Sequence, residues 1–195
     1  PQEITHERRF RNSADVAWEF FDRGREVGDK LGPGLIQLGP DFRQRELPAL
    51  AAFLPTLPED IAFAIEFRDR SWMHDGVLAL LAEHNVALAL TDARWIPRKQ
   101  MLALAERPTA DFVYVRWMGA DRDIVDYSRL QIDRSRELEL WAGVISHVAA
   151  RGRTVYGYVN NHFAGHSPAS ARELQRLLQI EPVAPEQLGE QMTLF

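Results

Sequence analysis

IAFAIEF, residues 61–67, and VALALT, residues 86–91, are the segments whose reading decides the fold. Each is short, apolar and bounded by turn residues, the pattern of a strand buried on both faces. Within each the side chains alternate with period two. Ala62, Ala64 and Glu66 share one side against Ile61, Phe63 and Ile65, while Ala87, Ala89 and Thr91 oppose Leu88 and Leu90. Small residues on one side and bulky aliphatics on the other suggest the wall of a closed barrel, with the bulk facing an outer layer of helices.

Working outward, Leu35 to Leu38, Phe112 to Trp117 and Val155 to Val159 read as further strands, which makes about five in all. Helical patterns lie between them. Asn12 or Ser13 caps one that carries Val16, Phe20 and Phe21, and a second runs from about Arg43 to Leu54, before Pro55. Ser71 is the expected cap of a third, with Val77, Leu78, Leu80 and Leu81 on one face. Ser135 opens a fourth, which ends before Gly152, and Ser167 followed by Pro168 opens a fifth. The segment Pro97 to Pro108 reads as a long excursion, and the tail from Pro182 reads as irregular. Strand and helix in alternation imply an α/β fold with a parallel sheet. No glycine-rich phosphate fingerprint follows the first strand, since Gly32 and Gly34 precede it, so the expectation is a TIM-type (β/α) barrel rather than a dinucleotide fold. Residues 1–195 are expected to form a single domain of that kind, here a partial barrel, with 182–195 as its tail.

Composition narrows the chemistry. The 195 residues are 46% hydrophobic and contain no cysteine, which excludes thiol nucleophiles, disulfides and thiolate metal clusters. The formal net charge of -5 disfavours a nucleic-acid surface. Nothing approaches the roughly 18 apolar residues of a membrane span, and the start PQEITHERRF has no signal-peptide core, so the expectation is a soluble cytoplasmic protein without a membrane partner.

Strand parity then selects a rim. Gln37, Arg116 and Asn160 point to the same side as Glu66 and Thr91, at the C-terminal ends where barrel enzymes keep their sites. Three residues are candidates for catalysis: Glu66 as base, Asp92 as a second carboxylate, and His162 as a proton carrier. Gln37, Arg68, Arg116, Asn160 and Asn161 are candidates for binding substrate. Each has a plainer alternative: an ion pair between Glu66 and Arg116, a capping role for Asp92, turn geometry for the paired asparagines. The loop after the last strand, close to the helix opened by Ser167, is a place where an anion can sit. His162 and His166 are four apart, but Gly165 and the cap at Ser167 put them in a loop, so no metal ligand is assigned. No cofactor is expected, and a divalent metal is kept only as a minor alternative. These residues suit an enzyme acting on a small anionic or polyhydroxyl molecule by acid–base chemistry. The alternatives are a non-catalytic binder of a nucleic-acid end or a protein partner, and metal-dependent phosphodiester or sugar chemistry.

Three stretches carry a resemblance. GLIQLGPDFR (34–43), EFRDRSW (66–72) and YGYVNNHFAGHSPASA (156–171), with the terminal MTLF, are together similar to the YecE-like proteins, known as domain of unknown function number seventy-two. The resemblance implies a TIM-type barrel of roughly 250 residues. It also implies two strands resembling GTSGW and VEINSTFY, and a third ending in lysine and proline, all upstream of the position of Gln2 to His6. The strands counted above would be the barrel's fourth to eighth. The two open sheet edges that remain would then invite self-association or another covering segment.

Overall fold

All five segments expected as strands are strands in the computed structural model, which describes residues 1–119 and 124–183. They are β1 (Gly34–Gln37), β2 (Phe63–Glu66), β3 (Val86–Ala93), β4 (Phe112–Gly119) and β5 (Thr154–Val159), and they form one parallel sheet in the order β1-β2-β3-β4-β5. Chain order and sheet order coincide, so each connection steps to the next strand through a helical layer, as in the wall of a (β/α) barrel. The helices are α1 (Ala14–Arg25), α2 (Leu47–Phe53), α3 (Asp75–Glu83), α4 (Arg98–Ala105), α5 (Ser135–Ala150) and α6 (Ser167–Leu177). Residues 184–195, most of the expected irregular tail, lie outside the described residues.

The two sides of the wall bury different side chains. On the helix side, a continuous core runs from Ile36, Phe63, Ile65, Leu88, Leu90, Val113, Val115 and Trp117 into the helices. Its densest part is a stack of Phe42, Trp72 and Phe67, with ring centroids 5.3 and 4.6 Å apart. The Trp72 indole N–H donates to the Phe42 carbonyl at 2.8 Å, so the stack buries no unpaired donor there. On the other side, Ala64, Ala87, Ala89, Ala110, Phe112 and Tyr114 form a second cluster with Leu35 and Tyr156. The alternation expected for 61–67 and 86–91 is therefore present, but small residues line only β2 and β3. On β4 and β5 the same face is aromatic, with Phe112 edge-on to Tyr156 at 5.6 Å and Tyr114 stacked on Tyr158 at 5.0 Å. Ala89 stands in register with Tyr114, a small side chain beside a large one.

Local signals account for most boundaries. Ser13 occupies the N-cap of α1, and Ser135 opens α5 with its N–H bonded to Asp133 Oδ1 at 2.9 Å. The helix expected over 43–54 is broken into a 3-10 turn at Gln44–Glu46, α2, and a second 3-10 turn at Leu54–Thr56, in keeping with Pro48 and Pro55. Ser71 does not cap α3. Asp69 draws the Ser71 N–H into a separate 3-10 turn, and α3 starts only at Asp75. The excursion at 97–108 holds the helix α4, which follows Pro97 and buries Met101 and Ala105, four residues apart.

Before α1 the chain is clasped to the loop after β1. Arg9 and Phe10 take positive φ values of 50 and 68°, which turns the Phe10 ring onto Phe53 at 4.5 Å and Phe42 at 5.3 Å. Arg9 donates to Glu46 Oε1 at 2.6 Å and Arg11 donates to Oε2 at 3.0 Å. The Arg9 guanidinium, helped by Arg11, holds the Glu46 carboxyl below its ordinary value. A carboxyl whose folded pKa is depressed contributes stability that is present above the unfolded value and lost as pH falls through the folded one. Glu46→Gln should therefore lower stability at pH 7 and shrink the loss between about pH 5 and the acid limit, read from urea midpoints across that range.

Candidate functional site

The C-terminal ends of the strands gather the inward polar residues. Gln37 pairs with Glu66 in the sheet register, and Thr91 pairs with Arg116. Glu66 is the centre of the group and is fully buried, with 0% exposure. Its Oε1 accepts from Gln37 Nε2 at 2.9 Å and from Arg68 Nε at 3.3 Å, and its Oε2 accepts from Arg116 Nη1. The plainer reading of Glu66, an ion pair with Arg116, is thus present and extended by Arg68 and Gln37. A carboxylate with no access to water persists because two guanidiniums and an amide replace its hydration. One negative and two positive groups leave the cluster with an excess positive charge.

Each arginine donates one N–H group to Glu66, and among the described residues the remaining donors of its fork make no further side-chain hydrogen bond. The Arg68 guanidinium carbon lies over the Trp95 ring, 5.0 Å from its centroid, a cation–π contact that restrains the side chain. Trp95, in the loop after β3, escaped the strand-parity argument because it is on no strand. Two groups at this rim, Thr91 Oγ1 and Trp95 Nε1, are buried without a hydrogen-bond partner among the described residues. Beneath the ion pair, burial and the neighbouring Tyr158 phenol push the Tyr114 phenol up to about 12.

The other expected residues divide into two groups. Asp92 is turned to the helix side, where Oδ2 accepts from Arg98 Nε at 2.5 Å and from the buried Trp141 Nε1 at 2.8 Å. Parity is the physical reason, since Asp92 follows an inward Thr91. It does not meet Glu66. Behind the wall this pair continues through Arg98 to Glu137 (3.6 Å), Glu137 to Arg134 (3.3 Å) and Arg134 Nε to the Phe163 carbonyl (2.9 Å).

After β5, Asn160 Oδ1 accepts from the His162 N–H at 2.9 Å and Asn161 Oδ1 accepts from the Ser167 N–H at 2.8 Å. Both amide oxygens serve turn and cap geometry, as the plainer reading had it, and only their NH₂ groups remain for other work. The start of α6 therefore has one N–H already engaged where an anion was expected. His162 Nε2 lies 3.1 Å from the Tyr127 hydroxyl, while Nδ1 is buried without a partner among the described residues. His166 is the N-cap residue of α6, and among the described residues no three His, Asp or Glu side chains gather as a metal would require. No helix among them is long and apolar enough to cross a membrane.

Comparison with known proteins places this geometry among relatives. A family model described as "Protein of unknown function DUF72" matches residues 1–192. The curated "UPF0759 protein YecE" of Escherichia coli is 33% identical over 76 residues, 39% of this chain and only 28% of that relative's length. Among solved structures, a DUF72 family protein of Thermotoga maritima superposes with a TM-score of 0.72 at 18% identity, covering 92% of this chain and 71% of that one. A DUF72 family protein of Enterococcus faecalis gives 0.67 at 16% identity, covering 89% and 68%. These two likenesses concern the fold.

The loop bearing His162 is seated against the end of β4 by a glycine. Gly119 has φ +72°, and a Cβ placed there would lie 2.1 Å from the His162 carbonyl oxygen. Gly152 has a similar φ of +78° with open space around it. Gly152→Ala should cost about 1 kcal/mol, the left-handed penalty alone. Gly119→Ala should cost roughly 3 kcal/mol or more, because the loop must also move. Urea unfolding of the two variants gives the comparison, and equal losses would mean that the close approach is absent.

Proposed function

The chain belongs to the family described as Protein of unknown function DUF72, and on that premise we propose that it is an enzyme acting on a small anionic or polyhydroxyl substrate at the C-terminal rim of its strands. The observation that carries this reading is the dry Glu66 carboxylate, held by Gln37, Arg68 and Arg116 at the place where TIM-type enzymes position their chemistry. Arg68 and Arg116 grip the anionic group with donors that Glu66 does not use. Their forks are already restrained, one by the Trp95 ring and both by the carboxylate, so little side-chain freedom remains to be lost on binding. The amide NH₂ groups of Asn160 and Asn161 offer hydroxyl-directed contacts. His162, paired with Tyr127, is the residue proposed to carry a proton, and Glu66 shares that role once substrate draws an arginine away from it.

A second reading has its own support. Both oxygens of Glu66 are occupied in the resting arrangement, as suits a binding protein that performs no reaction. The two readings separate in one series of measurements. Phosphorylated and carboxylated polyols are screened by thermal shift, and those that bind are followed for product by mass spectrometry. For an enzyme, Arg116→Gln should raise KM, and His162→Asn should lower kcat by on the order of 10²-fold with substrate still bound. Ligand-induced stabilisation without product favours the binder, and unchanged turnover in both variants sinks the assignment of the site.

A further inference from the structure

Four buried side-chain groups outside the His162 loop lack a partner among the described residues, and they are not equivalent. Ser13 Oγ sits at the cap of α1, and Trp117 Nε1 belongs to a ring packed edge-on against Trp141 at 5.8 Å on the helix side. Thr91 Oγ1 and Trp95 Nε1 are different because they stand at the rim. Thr91 is fully buried, on the same face as Ala87 and Ala89 and in register with Arg116, while Trp95 carries Arg68 on its ring. Buried polar groups in proteins are paired as a rule, so two orphans beside two half-used guanidiniums mark a missing acceptor. Trp95 Nε1 can only donate, and the Thr91 hydroxyl can donate. Among the described residues the carboxylate of this inward rim, Glu66, is already supplied with three donors.

The arc is therefore rich in donors and poor in acceptors. A carboxylate has two coplanar oxygens, both of which a single arginine fork can engage in one plane. A phosphoryl group presents three terminal oxygens in a tetrahedral arrangement and takes donors from several directions. We infer that Thr91 and Trp95, with Arg68 and Arg116, form a subsite for the phosphoryl group of a small substrate. This rests on the reading of the rim as an anion site and names the anion. Thr91 hydroxyl and Trp95 indole N–H supply neutral hydrogen bonds, and the arginines supply the charge left over from Glu66. The indole has a double part, as donor and as the ring over which Arg68 is held.

Inorganic phosphate is the probe, titrated calorimetrically and by thermal shift against the whole chain, with acetate in parallel. Thr91→Val keeps the shape and removes only the hydroxyl, and Trp95→Phe keeps an aromatic face under Arg68 and removes the N–H. Because the Thr91 hydroxyl has no hydrogen-bond partner among the described residues, Thr91→Val should melt at or slightly above the parent temperature without phosphate. Each variant should bind phosphate about tenfold more weakly, the loss of one good hydrogen bond to a charged group. The parent should bind phosphate in preference to acetate. Parent-like phosphate affinity in both variants overturns the subsite, and so does a fall in the melting temperature of Thr91→Val without ligand, which would reveal a protein partner for its hydroxyl. If acetate binds the parent through Arg116 and phosphate does not, the phosphoryl assignment fails while the anion site stands. If neither anion binds, both fall.

Discussion

A carboxylate without water holds the rim together. Glu66 has no exposed surface, so its charge is tolerable only while Arg68, Arg116 and Gln37 surround it. The arrangement joins residues from β1, β2, β4 and the loop after β2, and it fixes how those strand ends sit relative to one another. It also settles the character of the site. Guanidiniums tethered by a buried acid cannot swing freely. Deleting the acid would leave two arginines close together with nothing between them, a repulsion that the barrel wall would have to absorb by moving apart.

The wall beneath this cluster is asymmetric. Alanines at 64, 87 and 89 keep β2 and β3 slim on the inward face, whereas Phe112, Tyr114 and Tyr156 fill the same face of β4 and β5. A slim half and a thick half place the ion cluster against an aromatic floor, which lowers the local polarity and strengthens each charged contact above it. The raised Tyr114 phenol is a sign of that environment.

Much of this was legible in the sequence because period-two alternation is a backbone property. Once Ala64 and Ala87 are set inward, Gln37, Glu66, Thr91 and Arg116 follow by counting, and the register confirms their neighbourhood. What failed to be legible depended on matters that counting cannot reach. Asp92 was a candidate second carboxylate because it stands at a strand end, yet the same parity turns it to Arg98 and Trp141. Trp95 was missed because a loop residue has no parity, and only the structure shows Arg68 held over its ring. The helix α4 was hidden between two prolines, with only Met101 and Ala105 to mark its buried face. The asparagines after β5 showed their types in the sequence, but not that both side-chain oxygens would be taken by backbone N–H groups.

The chain of charges behind the wall has a mechanical meaning. From Asp92 through Arg98, Glu137 and Arg134 it ends on the carbonyl of Phe163, next to His162. It links the tip of β3, the starts of α4 and α5, and the turn after β5 by contacts that stretch little before they break. On the other side, Gly119 lets β4 press directly on the same turn. The His162 turn is thus braced on two sides, by the ion chain through Arg134 and by the close approach of Gly119. A chemical group carried on such a turn has its position fixed by the tip of β3 as well as by the strand it follows.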